Sequence, residues 1–155
     1  MISSKRRSLG LASLFEQIVR ATYDKRGPLN LQPAQWSALR YFDRAGVRAR
    51  TVSGLAKYMG VTMGPASRAA RALERRRLLI SEKNTEDARS IVYTLTSLGQ
   101  ELMETDPLNR LAAAFDCLQA ADLEVISRSL VNIAESLSSK NVFALDATDR
   151  RQEGG

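Results

Sequence analysis

The chain has 155 residues, 44% hydrophobic and 26% charged, a balance of folded rather than disordered proteins. It contains no His and a single Cys, Cys117, which excludes imidazole catalysis, a thiolate zinc cluster and an intrachain disulfide. The net charge of +6 is uneven: residues 40–83 carry eleven basic and three acidic side chains, residues 101–155 five and ten. A localised positive field suits a polyanionic partner, because neutralising phosphates releases their condensed counterions. No apolar run reaches the roughly 18 residues of a membrane span, and no apolar signal core follows Lys5-Arg6-Arg7. A cytoplasmic protein without a cofactor is therefore expected.

Leu9, Leu11, Leu14, Phe15, Ile18 and Val19 recur at helical spacing, which predicts an amphipathic helix over about 8–25, stopped by Gly27-Pro28. Pro33 suits the first turn of a second helix, about 33–45, with Trp36, Leu39, Tyr41 and Phe42 as its apolar members. A basic connection at 46–50 leads to a short third helix, 51–59. Gly60 then makes a turn, and Thr62 stands where a fourth helix, about 63–76, would be capped. Ala56, Gly60 and Ala66, flanked by core positions Leu55, Val61 and Leu73, give the small–turn–apolar spacing that two steeply crossing helices require.

After Arg77 the pattern turns β-prone. Runs 78–83 and 90–95 flank the polar stretch Asn84 to Arg89 and predict a hairpin. Thr96 caps a fifth helix and Pro107 breaks it. An Ala-rich helix follows over 108–120, and Asp122 opens a last one carrying Leu123, Ile126, Leu130, Ile133 and Leu137. The order predicts a mainly α fold with a small β-wing, a winged helix-turn-helix.

The fourth helix carries the chemistry. With Ala66, Ala69, Ala70 and Leu73 inward, its outer side shows Met63, Gly64, Ser67, Arg68, Arg71 and Arg75. The small start, Met63-Gly64, lets the backbone sit deep in a groove. Ser67, Arg68 and Arg71 can then read bases or clamp phosphates in the major groove, since Arg donates two bonds to guanine. Thr51, Thr62, Arg75 and Lys83 are placed for phosphates. In the hairpin loop Asp87 can hold the turn, by pairing with an Arg or with loop amides. Arg89 is then left to reach outward into a narrow minor groove.

Thr51 to Gly99 resembles the winged-helix core of MarR-type (multiple antibiotic resistance) transcriptional regulators. The matching residues are Leu55-Ala56, Gly60-Val61-Thr62, Ser67-Arg68, Leu73-Glu74, Asp87-Ala88-Arg89-Ser90 and Leu95-Thr96-Ser97-Leu98-Gly99. Gln35-Trp36-Ser37-Ala38-Leu39 is similar to that family's second helix, and the likeness covers about residues 8–140. On this basis residues 1–145 are expected to form one such domain, with a core at about 33–100 and a flexible tail at 146–155. The resemblance implies a homodimer held by N- and C-terminal dimerisation helices, here about 8–25 and 108–140. It also implies double-stranded DNA as partner, with the fourth helix in the major groove and the wing in the minor groove, and often release by small aromatic, phenolic or oxidising signals. Two departures stand out: Arg75-Arg76-Arg77-Leu78 replaces the usual Gly after the recognition helix, and Pro107 interrupts what is typically one long helix.

Dimerisation also follows from the residues. The first and last helices are apolar on one face yet lie outside the small core, so a two-fold partner would cover them. Trp36 reads first as a core or helix-contact residue, and as the weaker alternative as the lining of an effector pocket between the dimerisation helices and the DNA-binding lobe. Cys117 reads as a small buried hydrophobe, and Met59 and Met63 as gap fillers at the turn. Glu101, Glu104, Asp106, Asp116, Asp122 and Glu124 read as a solvated face. The expected function is a sequence-specific DNA-binding regulator, a homodimeric repressor released by a small-molecule or oxidative signal. The competing reading is a winged-helix module that binds an acidic protein. A small enzyme has no motif to support it.

Overall fold

Leu31, Trp36, Leu39, Phe42, Leu55, Leu73, Leu78 and Leu79 are sealed from solvent in the computed structural model, which describes residues 4–25 and 27–137. The elements around them are helices α1 (Ser4–Thr22), α2 (Pro33–Arg44), α3 (Val52–Met59) and α4 (Met63–Arg75), strands β1 (Leu79–Lys83) and β2 (Ile91–Leu95), and helices α5 (Ser97–Met103), α6 (Pro107–Asp116) and α7 (Ala120–Leu137). A 3₁₀ turn, Val47–Ala49, fills the connection between α2 and α3. This is a winged helix-turn-helix, mainly helical with one two-stranded wing, as the sequence predicts.

α2, α3, α4, the wing and α5 share one core. Two strands cannot bury a face by themselves, so the hairpin leans on helices. It pairs antiparallel from Leu79 opposite Leu95 to Lys83 opposite Ile91, and turns Leu79, Tyr93 and Leu95 inward. The Tyr93 ring lies 5.3 Å from that of Phe42 on α2. The Tyr93 amide donates to the Arg50 carbonyl at 2.8 Å, which ties β2 to the connection before α3. Burial raises the Tyr93 phenol above its ordinary pKa; nearby Glu74 adds to the rise and Arg71 opposes it.

α1, α6 and α7 lie outside this core. Within α1 only Thr22 is buried, within α6 only Pro107, and within α7 nothing among the described residues. The first helix runs from Ser4 to Thr22 rather than 8–25, because nothing in Ser4 to Arg7 breaks a helix and the chain turns at Tyr23. The Ala-rich helix stops at Asp116, and the last helix starts at Ala120, which places Asp122 in its first turn. The ends of the expected 108–140 segment and of the tail at 146–155 lie outside the described residues.

Two expected burials are corrected. Val61 is 37% exposed, since the turn carries it past the helix crossing. Cys117 ends α6 in the open, its Sγ 3.4 Å from the Ala113 carbonyl. Met59 packs against the core, and Met63, at the outer start of α4, is 53% exposed, as its place on the outer side of that helix predicts.

The missing glycine after α4 has a structural counterpart. Arg77 takes the left-handed conformation, φ 60°. Its amide donates to the Glu74 carbonyl at 2.8 Å and the Leu78 amide donates to the Leu73 carbonyl at 3.0 Å. This is a Schellman motif, closed by the buried pair Leu73 and Leu78. An L-residue held there costs roughly 1–2 kcal/mol. Arg77→Gly is therefore expected to stabilise the fold by about 1 kcal/mol, after the extra freedom glycine brings to the unfolded chain. Urea unfolding of the two chains checks it.

Candidate nucleic-acid interface

The helix-turn-helix is built from small residues at close approaches. Thr51 caps α3, its hydroxyl accepting from the Gly54 amide at 3.1 Å. At Gly54 a side chain would run into the Tyr41 hydroxyl and the Ala49 carbonyl. The same Tyr41 hydroxyl donates to the Ala49 carbonyl, so the turn before α3 is pinned to α2. Gly60 ends α3 in the left-handed region, φ 64°, and the Val61 amide donates back to Ala56 at 3.1 Å. Thr62 occupies the position before α4 with extended backbone, but its hydroxyl makes no cap bond. It is exposed on the side from which α4 starts.

α4 divides as the sequence predicts. Ala66, Ala69, Ala70 and Leu73 are buried, while Met63, Gly64, Arg68, Arg71 and Arg75 are exposed and Ser67 is half-buried. Arg68 leans back along the helix, with Nη1 3.4 Å from where a Cβ on Gly64 would stand. At Gly64 the backbone of α4 is thus bare, between the exposed Met63 and the Arg68 guanidinium. Three arginines continue along the same solvent side, a surface that can donate to bases or phosphates.

The wing tip holds itself by Asx-type turns. The Asn84 side chain accepts from the Glu86 amide at 3.0 Å, and that of Asp87 accepts from the Arg89 amide at 3.0 Å. Asp87 therefore holds the loop through an amide rather than through an arginine. The Arg89 side chain is exposed at the tip, and Lys83 is exposed at the end of β1. Thr51 is half-exposed, and its hydroxyl, which accepts the cap bond, keeps its O–H as a donor.

Other basic residues are structural, and composition did not separate them. Arg50 donates through Nε to the Ala45 carbonyl at 2.8 Å. Arg76 reaches back to the Leu29 carbonyl at 2.6 Å, binding the end of α4 to the α1–α2 connection. Arg48 pairs with Glu86 at 2.8 Å, between the 3₁₀ turn and the wing tip. Arg40 is buried and grips both carboxylate oxygens of Asp106, at 2.6 and 3.0 Å, and the Tyr23 hydroxyl at 3.1 Å. Burial by itself would lower the Arg40 pKa; the hydrogen bonds to Asp106 and Tyr23 outweigh it and the net direction is upward. Asp106 is thus no member of a solvated face. It is 5% exposed and also caps α6, accepting from the Leu108 amide at 2.9 Å.

Trp36 does not line the cleft found beside α1. It is fully buried in the core, and its indole N–H has no hydrogen-bond partner among the described residues. The α1–α2 connection instead borders a cleft of about 390 Å³ lined by Val19, Arg20, Tyr23, Asp24, Asn30 and Pro33. Among the described residues no group of His, Cys, Asp and Glu is placed to hold a metal, and no helix is long and apolar enough to cross a membrane.

Comparison with known proteins agrees with this architecture. Residues 29–90 match the model of the MarR family. No curated protein matches the sequence. The fold is similar to that of MepR from S. aureus in a complex with DNA, at a TM-score of 0.69 and 21% identity, covering 85% of this chain and 98% of that one. It is also similar to FabT of Streptococcus pneumoniae in complex with DNA, at 0.67 and 20%, covering 87% and 97%. The adhesin competence repressor AdcR of Streptococcus pyogenes gives 0.62 and 21%, covering 84% and 96%.

The close approach at Gly54 tests the geometry. Gly54→Ala gains helix propensity but drives a methyl into Tyr41 and the Ala49 carbonyl, so a net loss of about 1–3 kcal/mol is expected. Thermal melting of the variant measures it; an unchanged midpoint would disprove the packing described for this turn.

Proposed function

We propose that this chain, whose residues 29–90 match the MarR family model, is a homodimeric repressor that binds a specific double-stranded DNA sequence. The observation that carries the reading is the two-faced α4. Its inner side is alanine and leucine in the core, and its outer side is Arg68, Arg71 and Arg75 in solvent. In this reading Ser67, Arg68 and Arg71 work in the major groove, and Arg89 enters the minor groove from the wing. Thr62, Arg75 and Lys83 take phosphates, and Asp87 keeps the wing tip in shape. The solved DNA complexes of MepR and FabT, similar in fold, support it.

The outer helices support a dimer. α1 exposes Leu9, Leu11, Leu14 and Phe15, each at least half open, and α7 exposes Val125, Val131 and Ile133 to the same degree. Such open apolar faces favour a second copy as cover, because apolar area removed from water stabilises by roughly 25 cal/mol per Å². The recognition helices of a two-fold dimer would then meet a pseudo-palindrome at about 34 Å spacing. In the same reading the cleft beside Tyr23 and Arg20 takes the releasing signal.

Selection of bound fragments from random duplexes tests the proposal, followed by titration of the selected site. Affinity is expected to fall roughly 10³-fold or more between 50 and 200 mM salt if six or more phosphates are neutralised. The selected palindrome should exceed bulk DNA by about 10³-fold or more. A chain that binds acidic proteins but prefers no duplex would support the competing module instead.

Two substitutions divide the roles. Arg71→Ala is expected to cost about 1–3 kcal/mol on the selected site and to relax the preference at one base position. A uniform loss on all duplexes would assign Arg71 to a phosphate. Arg89→Ala is expected to weaken binding mainly through A·T-rich flanks; a gel-shift comparison with flank preference intact would remove Arg89 from the minor groove.

A further inference from the structure

Given the dimeric DNA binder proposed above, on which this rests, we infer that Arg40, Asp106 and Tyr23 form a clamp that sets the spacing of the two recognition helices. Arg40 belongs to α2, between the buried Leu39 and Tyr41. Its guanidinium holds both oxygens of Asp106 through Nε and Nη2, and Nη2 also reaches the Tyr23 hydroxyl. Asp106 is the cap from which α6 starts, and Tyr23 follows directly on the last residue of α1. α1 and α6 pack on each other. One planar cation in the winged core is therefore bonded to the end of one outer helix and the start of another.

Burial singles out the same joint. The buried residue of α1 is Thr22, and that of α6 is Pro107, each next in sequence to a member of the clamp. Elsewhere these two helices leave their side chains largely open to solvent. The core grips the outer helices at the point where the clamp lies.

The chemistry of the pair favours orientation over cohesion. A buried ion pair contributes little net stability compared with an apolar pair of the same shape, since both ions lose water. The forked contact does fix distance and angle, because two parallel bonds allow a single relative orientation. In a dimer held through the outer helices, a tilt at each joint moves each α4 relative to its twin. DNA half-sites are separated by a fixed number of base pairs, so a clamp that prevents tilt acts as a specificity-determining device. Arg40, Asp106 and Tyr23 are positioning residues here and none touches DNA.

The test uses the full chain, its selected palindrome, and versions with the half-sites moved closer or apart by one base pair. Wild type is expected to lose about tenfold or more in affinity on either displaced version. Arg40→Lys keeps the charge but not the fork, and Asp106→Asn keeps the cap but not the ion. Both are expected to bind the original spacing about tenfold more weakly and to discriminate among the three spacings by about threefold or less. Tyr23→Phe removes one hydroxyl from a half-buried ring, and its discrimination should fall between these. A folded, dimeric Arg40→Lys or Asp106→Asn chain with the wild-type spacing profile overturns the clamp. If those two chains fail to fold, Tyr23→Phe decides: an unchanged profile overturns the clamp, and a flattened one upholds it. A wild-type chain that binds no duplex overturns the DNA-binding proposal itself. A wild-type chain that binds its palindrome but tolerates every spacing overturns the clamp alone.

Discussion

α4 must lie close against the core, and three alanines make that possible. Ala66, Ala69 and Ala70 bring the helix backbone near α2 and α3, with Leu73 as the one large anchor. Because the inner side is nearly bare, the bulk of the helix projects outward as Arg68, Arg71 and Arg75. The same approach fixes what comes next in the chain. The Schellman turn at Arg77 reverses the backbone and buries Leu78 beside Leu73, which starts β1 against the core instead of in solvent. The helix and the wing therefore hold one mutual orientation, and a surface distributed over both can act as a unit.

That dependence explains what the sequence made legible. Helix α4 is short and strongly two-faced, so a 3.6-residue period identifies its inner residues without any knowledge of what they pack against. The glycine at 60 and the β-prone runs after Arg77 are local signals of the same kind. Thr96 too behaves as read: its hydroxyl accepts from the Gly99 amide at 3.0 Å to cap α5. The arginines of α4 and the tip arginine of the wing follow directly, because an exposed position on a correctly assigned element needs no tertiary information.

The missed features all depend on separation in sequence. Arg40 and Asp106 stand 66 residues apart, and nothing in the neighbourhood of either distinguishes an ion bound for the core from one bound for water. Pro107 offered half the answer: a helix that starts at a proline needs a cap before it, and Asp106 is well suited to the role. Trp36 is a core residue, as its apolar position on α2 favours; the sequence leaves the pocket alternative open because helical period gives a direction and not the thickness of what covers it. Cys117 was assigned to the interior from its Ala-rich surroundings, where small side chains leave the helix thin and the thiol open.

The distinction between bound and unbound arginines also changes what the charge means. Residues 40–83 carry eleven basic side chains, a number that by itself implies a dense phosphate footprint. Arg40 is consumed by Asp106, Arg50 by a carbonyl, Arg76 by the Leu29 carbonyl and Arg48 by Glu86. The Arg48 pair is on the surface and worth at most about 1 kcal/mol, so a phosphate could replace Glu86 at little cost. The others are held by backbone or buried carboxylate and build the frame. Of the remaining basic residues of the segment, Arg68, Arg71, Arg75 and Lys83 are exposed on α4 and at the end of β1, and Arg44, Lys57 and Arg77 are exposed elsewhere; in the proposed reading the first four, with Arg89 of the wing tip, are the charge offered to DNA. A salt dependence governed by those few cations would be shallower than net charge implies, and the specificity would come to depend on how well the frame holds them in place.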